Sequence, residues 1–257
     1  MRVGLLLPSI MRQQAIQLAE AIRANSNMEL RAIIGLRYPI YQARLAIISA
    51  KILERWGLLG GIPRLNTIFE ESTVYETEVP FKISTAKEYA DYYNIPFWYS
   101  KNTNSKKTAR ILRQAELDAV VCYSAGILRN TILDNSEIIF LNAHAGKLPK
   151  YGGMNVIEWA IFNGDQIYGT IHKIDKGIDT GDILLEKPLD LKIATSLEEI
   201  RKQASDLVWK MVPNALEGLS KGELKFYKQN ENQQLIQWFR IHPKLLEIVH
   251  EKISSGF

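Results

Sequence analysis

Arg2-Val3-Gly4-Leu5-Leu6-Leu7 is an almost unbroken apolar run, and residues 11–24 after it carry apolar side chains at Ala15, Ile16, Leu18, Ala19 and Ile22. The first stretch reads as a buried strand and the second as a helix with one apolar face. Residues 30–36 supply a second strand. Thr85-Ala86-Lys87-Glu88 has the spacing of a capping box ahead of another helix. Residues 97–99 read as a strand, 106–114 as a helix, and 120–123 and 138–141 as further strands. Strands alternating with helices of about ten residues dictate an α/β, Rossmann-like fold: a mostly parallel sheet with helices on both faces and ligands at the carboxyl ends of the strands.

Residues 37–84 interrupt this alternation, where a connection of roughly 2–6 residues is usual. They are expected to be an insertion. Its helical part, with Ala46, Ile47, Ala50, Leu53 and Leu58, is suited to covering a substrate, making a homodimer contact, lying on a membrane surface or packing locally. After the sheet, residues 155–163 read as a short helix ended by Gly164, and residues 170–174 and 183–189 as strands around a polar turn. Ser196-Leu197-Glu198-Glu199 opens a long helix that Pro213 is expected to kink or split. Beyond Gly222 the pattern is short and mixed. Residues 1–220 are therefore read as one catalytic domain and 221–257 as a C-terminal appendage.

Composition narrows the function classes. With 257 residues, 46% of them hydrophobic, the chain suits a soluble globular protein. The single cysteine, Cys122, excludes an internal disulfide and a cysteine-built metal site, and fits a reducing cytoplasm. The start of the chain lacks the pattern of a signal peptide. Residues 43–62 are broken by Arg44, Lys51, Glu54 and Arg55 and fall short of the roughly 18 apolar residues a membrane span needs. A net charge of +4 with scattered basic residues argues against nucleic acid as a partner.

In Phe140-Leu141-Asn142-Ala143-His144 a buried strand runs out into two polar residues spaced two apart, so an amide and an imidazole leave an extended chain on the same side. Pro149, Gly152 and Gly153 follow, where backbone can approach a ligand closely. The second motif is Thr170-Ile171-His172-Lys173-Ile174-Asp175-Lys176-Gly177-Ile178-Asp179-Thr180-Gly181-Asp182, a strand and then an acidic, glycine-punctuated turn. Asp175, Asp179 and Asp182 lack the alternation and terminal glutamate of a helix-loop-helix calcium site. His172 is as well explained by strand alternation as by substrate contact. Cys122 reads as buried and inert.

Together these segments resemble the folate-dependent formyltransferases. That family carries Asn-x-His ahead of a Leu-Pro turn, a tryptophan-bearing helix ending in Asn-Gly-Asp, and an aspartate in an Asp-Thr-Gly or Asp-Gly-Gly loop. The matches are Asn142 and His144, Leu148-Pro149, residues 159–165, and Asp179-Thr180-Gly181. The resemblance is close over residues 118–189, loose over the first strand and helix, and absent over the insertion.

It implies 10-formyltetrahydrofolate as formyl donor and a primary amine as acceptor. Attack on the formyl carbon makes its oxygen negative, so Asn142 and a protonated His144, the latter favoured by a nearby Asp179, would donate hydrogen bonds to it. Asp179 and His144 would also relay protons between amine and folate nitrogen. The family's folate pocket maps onto Ser124, Ala125, Gly126, Ile127 and Leu128, with Asp175 and Thr180 from the acidic turn; without the resemblance, Gly126 is simply a turn and Ile127 and Leu128 core. Residues 7–11 lack the phosphate loop of glycinamide ribonucleotide formyltransferases. Methionyl-tRNA formyltransferases carry a fuller C-terminal barrel and a more basic surface. The acceptor expected by elimination is a small metabolite, an amino sugar nucleotide above all, with initiator tRNA as the alternative and a non-catalytic binding module as the reading of another class.

Overall fold

The structure is a computed structural model that describes residues 1–9, 13–36, 83, 85–134, 137–191, 194, 196–230, 233 and 235–257. The expected insertion, Ile83 apart, and Met11 lie outside the described residues.

The chain begins with β1 (Arg2–Pro8), followed by α1 (Gln13–Ala24), β2 (Glu29–Leu36), α2 (Ala86–Tyr92), β3 (Phe97–Ser100), α3 (Lys106–Gln114), β4 (Ala119–Cys122), α4 (Asn130–Leu133) and β5 (Ile139–His144). β6 (Gly152–Gly153), α5 (Val156–Asn163), β7 (Tyr168–Lys173), β8 (Ile183–Pro188), α6 (Leu197–Ser220), β9 (Gln237–Trp238) and α7 (Pro243–Ser254) complete it. Among the described residues the main sheet has seven strands in the order β3-β2-β1-β4-β5-β7-β8. The strands from β3 to β5 run parallel, while β7 and β8 are antiparallel to their neighbours.

β1 is central, and for that reason it is apolar at nearly every position rather than alternating. Leu5 and Leu7 point into one core layer with Leu18, Ile22, Met211 and Leu216. Leu6 points to the opposite layer with Ile34, Ile111, Leu112, Ile132 and Phe140. Full burial of each leucine contributes roughly 1.5–3 kcal/mol, which fixes both faces and hence the register of the strand. A third cluster joins α5, the start of α6 and α7 through Ile157, Ile161, Ile200, Ala204, Val249 and Ile253.

Local signals set the helix ends. Thr85 accepts from the Glu88 N–H while the Glu88 carboxylate accepts from the Thr85 N–H, closing the expected capping box. Gly164 takes the left-handed conformation that ends α5. Ser196 caps α6 by accepting from the Glu199 N–H. Two features differ from the sequence reading. Pro213 does not split α6, which is continuous from Leu197 to Ser220; the buried Met211, Val212, Ala215 and Leu216 hold the turns on either side of it against the sheet. The tail also contains a regular helix, α7, with His242 as N-cap and Pro243 in its first turn. Among the described residues no helix is long and apolar enough to cross a membrane.

The switch in strand order falls between β1 and β4, and the loop after the carboxyl end of β4 lies beside the end of β5, where the parallel strands meet antiparallel β7.

Candidate active site

Asn142 and His144 end β5 and are two residues apart, so they share a face. Antiparallel pairing with β7 sets Asn142 opposite His172 and His144 opposite Thr170. The Thr170 hydroxyl donates to the Gly146 carbonyl at 2.7 Å, tying down the loop after β5. Gly146 is needed there because a Cβ would stand 2.5 Å from the Tyr151 carbonyl oxygen and 2.8 Å from His144 Nε2. That space is filled by a 2.6 Å hydrogen bond from His144 Nε2–H to Tyr151 O.

The turn after β7 brings the carboxylate. Asp179 adopts a left-handed conformation, φ 56°. Its turn is braced by Asp175, whose Oδ1 accepts from the Gly177 N–H at 3.0 Å and from the Thr180 hydroxyl. The Gln229 amide nitrogen donates to the carbonyls of Asp179 and Gly181 at 2.8 and 2.9 Å. Gly181 lies against Lys173, where a Cβ would be 1.8 Å from the carbonyl oxygen. Held this way, Asp179 Oδ2 accepts from the Gly153 N–H at 2.8 Å and sits 3.6 Å from His144 Nδ1, and Oδ1 lies 3.5 Å from His172 Nε2.

The structure thus brings the three expected catalytic residues together and adds His172, which the sequence left as a strand residue. His172 Nδ1 is 2.9 Å from Lys173 O, and Nε2 is 3.2 Å from Asn142 Nδ2. Burial by itself raises the Asp179 carboxyl, but His172, His144 and the Gly153 N–H outweigh it and hold it down at about 2. The His144 imidazole goes the other way from the sequence expectation. Burial lowers its pKa from the ordinary 6.5 more than the Asp179 carboxylate raises it, so the resting ring is neutral at neutral pH.

A cavity of about 250 Å³ opens beside this cluster, lined by Asn142, His172, Asp179, Asp175, Ile174, Ile178 and the whole of the loop Ser124, Ala125, Gly126, Ile127 and Leu128. Positive φ at Ser124 and Gly126 folds that loop sharply. Thr103 Oγ1 donates to Ala125 O at 2.6 Å, Asn104 Nδ2 donates to Ile127 O at 2.8 Å, and Asn104 Oδ1 accepts from the Arg129 N–H at 2.7 Å. Ala125 and Leu128 are buried, whereas Ile127 is 66% exposed at the rim. Cys122 contributes to the floor, its thiol pushed up to about 12 by burial.

Thr180 is not among the residues lining this cavity. With Pro149, Asp182, Lys228, Gln229, Asn230, Gln233 and Leu235 it lines a second, more polar one of about 510 Å³ next to the Asp179 turn. Tyr151 is buried and hydrogen-bonds Asp165, and Trp159 stacks on Trp238 with ring centroids 4.4 Å apart.

The sequence model of the formyl transferases matches residues 65–216. The chain belongs to the formyl transferase family. The methionyl-tRNA formyltransferase of Prochlorococcus marinus subsp. pastoris is 30% identical over 180 residues, covering 67% of this chain and 55% of that protein. The chain spans about half the length of the curated relatives it matches. Among solved structures, the phosphoribosylglycinamide formyltransferase of Anaplasma phagocytophilum superposes with a TM-score of 0.61 at 16% identity, covering 92% of this chain and 98% of that one. The N-formyltransferase of Helicobacter canadensis, solved with folinic acid and dTDP-3-aminofucose, superposes with a TM-score of 0.55 at 16% identity, covering 89% of this chain and 67% of that one. The chain shares their mostly parallel α/β fold.

Proposed function

We propose that this chain transfers a formyl group from 10-formyltetrahydrofolate to a primary amine, with Asn142, His144 and Asp179 as its catalytic set. The observation that carries the reading is Asp179 resting between two imidazoles beside Asn142, at the mouth of a cavity at the carboxyl end of the sheet. The cavity suits the ring end of a folate. Ala125, Ile127, Leu128 and Ile178 give it apolar walls, the loop at residues 124–128 exposes main chain, and about 250 Å³ is just below the roughly 300–1,000 Å³ of drug-sized pockets. Ser124 to Leu128 and Asp175 are its proposed contacts; Thr180 serves through its hydrogen bond to Asp175.

The Asn142 amide donates to the oxygen that becomes negative when the amine attacks, worth about 3–4 kcal/mol for a preorganised donor. His144 is neutral at rest, with Nε2–H fixed on Tyr151 O, so Nδ1 is the free basic position. A proton arriving there is held by Asp179 Oδ2 and then returned to the departing nitrogen, at no net proton cost.

The acceptor in this reading is an amino sugar nucleotide. The support is the second cavity, of a size for a small metabolite and lined by amide, hydroxyl, carboxylate and ammonium groups that match a polyhydroxylated ligand. Residues 221–257 supply most of that wall, and we assign them to acceptor binding. Similarity to methionyl-tRNA formyltransferases favours a second reading, with initiator tRNA as acceptor. Tetrahydrofolate release assayed against pools of amino sugar nucleotides, amino acids and charged initiator tRNA separates the two. Release driven by the sugar pool and insensitive to salt supports the first reading. Release driven by tRNA and collapsing as salt rises replaces it with the second. Folate binding without release in any pool points to a binding module.

A further inference from the structure

Resting on the formyl-transfer reading of this site, we infer that Trp238 is a positioning residue: it anchors β9 beside residues 152–154, so that the Gly153 N–H is aimed at Asp179 Oδ2.

Asp179 Oδ2 accepts from the Gly153 N–H at 2.8 Å. The N–H groups on either side of that one are both taken by the tail. Gly152 N–H donates to Ile236 O at 3.2 Å and Met154 N–H to Trp238 O at 2.9 Å, in a parallel pairing that sets Gly153 opposite Trp238. Successive N–H groups of a strand point to opposite sides, so two bonds to β9 leave the one between them facing the carboxylate. Gly153 has φ 94°, and a Cβ there would stand 2.4 Å from Trp238 O. Glycine alone lets the two main chains approach this closely.

β9 is two residues long, too short to hold itself in place. The Trp238 side chain supplies the anchor. Its Nε1–H donates to Lys150 O at 2.9 Å, and its ring stacks on those of Trp159 and Tyr151, with centroids 4.4 and 5.9 Å away. Trp159 adds a bond from Nε1–H to Phe239 O at 2.8 Å. The same stack steadies Tyr151, whose carbonyl accepts from His144 Nε2. One side chain of the tail thus braces the segment that orients both His144 and Asp179, and it acts through the main chain of residues 151–153.

The experiment compares Trp238→Ala, which removes both the stack and the indole N–H, with Trp238→Phe, which keeps an aromatic ring in the stack. Steady-state kinetics of formyl transfer are combined with residue-resolved hydrogen exchange of the wild-type backbone. The expected result is a kcat about ten- to a hundredfold lower in folded Trp238→Ala, the cost of misplacing a catalytic group by about 1 Å. KM for the donor should change little, and Trp238→Phe should restore most of the loss. A tryptophan that only fills space lowers stability and leaves the kcat of folded molecules alone, so equal kcat in the folded alanine variant and wild type overturns the inference. In wild type, release of β9 frees Gly152, Gly153 and Met154 together, so their amides should share one protection factor. A Gly153 amide that exchanges independently of its two neighbours also overturns the inference, a result available even if the alanine variant fails to fold. If wild type transfers formyl to no amine, the formyl-transfer reading falls, while the exchange data still decide whether the tail holds Gly153 in place.

Discussion

Asn142 at the end of β5 and His172 in β7 stand opposite each other across an antiparallel strand pair, and their side chains meet at 3.2 Å. The site is therefore built on sheet register and not on loop conformation alone. Asp179 enters from the turn between β7 and β8 and is oriented by groups from three other segments: it accepts from the Gly153 N–H, its own carbonyl accepts from the Gln229 side-chain amide, and its turn closes on the Lys173 carbonyl. Preorganisation of this kind means that small steric changes near the cluster should act on catalysis before they act on folding.

Gly146→Ala is the sharpest such change. Its Cβ would stand 2.5 Å from Tyr151 O and 2.8 Å from His144 Nε2, between the partners of the bond that fixes the imidazole. Relief requires that bond to open. We expect kcat to fall at least about tenfold and the protein to lose about 1–3 kcal/mol of stability. Urea denaturation beside a rate assay checks both; an unchanged rate would show that His144 needs no such anchor.

Asn104→Ala should act on the donor and not on the chemistry. Asn104 staples the loop at residues 124–129 through Ile127 O at 2.8 Å and Arg129 N–H at 2.7 Å. Losing about 1 kcal/mol of loop order weakens tetrahydrofolate binding roughly fivefold while leaving kcat nearly unchanged. Calorimetric titration with tetrahydrofolate measures this directly. Wild-type affinity in the variant would remove the loop from the donor site.

Acid should destabilise the fold in two steps of the same sign. The neutral, buried His144 has its pKa lowered from 6.5, so as pH falls through 6.5 the unfolded chain takes up a proton that the folded one resists, and stability drops. Asp179, at about 2 in the fold against an ordinary 3.8, contributes roughly 2–3 kcal/mol that is fully present above pH 4 and lost as pH falls towards 2. Urea midpoints measured across this range should show the upper step flattened in His144→Asn and the lower one in Asp179→Asn. Stability rising on acidification through pH 6.5 would contradict the assignment.

Pro213 leaves the Trp209 carbonyl without its usual helical donor, yet α6 runs through it because its neighbours are buried on the sheet. Pro213→Ala restores that donor, so a gain of about 1–2 kcal/mol is expected after the added freedom of the unfolded chain is subtracted. A higher thermal midpoint checks it; a lower one would mean that the proline ring itself is a core contact.

Much of this molecule was legible in its residues. The parallel half reads directly because β1 is a continuous apolar run, and because α1 and α3 repeat their apolar positions at helical spacing. Asn142, His144 and Asp179 could be paired because the two local motifs that carry them resemble those of the formyltransferases. His172 could not be promoted from strand residue to site residue, since its partner lies 30 positions away and only the β5–β7 register joins them. Gly146 has no local signal for the same reason: what excludes a side chain there is the carbonyl of Tyr151, brought back by the following loop. The protonated His144 expected from its carboxylate neighbour ignored burial, which no local pattern reports. For α7 the signals existed, Pro243 at the helix start and Val249 and Ile253 on one face, but they are spread over a tail with few other apolar cues.

The most direct measurement is single-turnover formation of tetrahydrofolate from 10-formyltetrahydrofolate in the presence of amine acceptors, for wild type, His144→Ala and Asp179→Ala. The account predicts amine-dependent formation by wild type and a loss of at least about a hundredfold in each variant, with the folded state and folate binding retained. Turnover by either variant at the wild-type rate, or tetrahydrofolate formed by wild type without any amine, would contradict it.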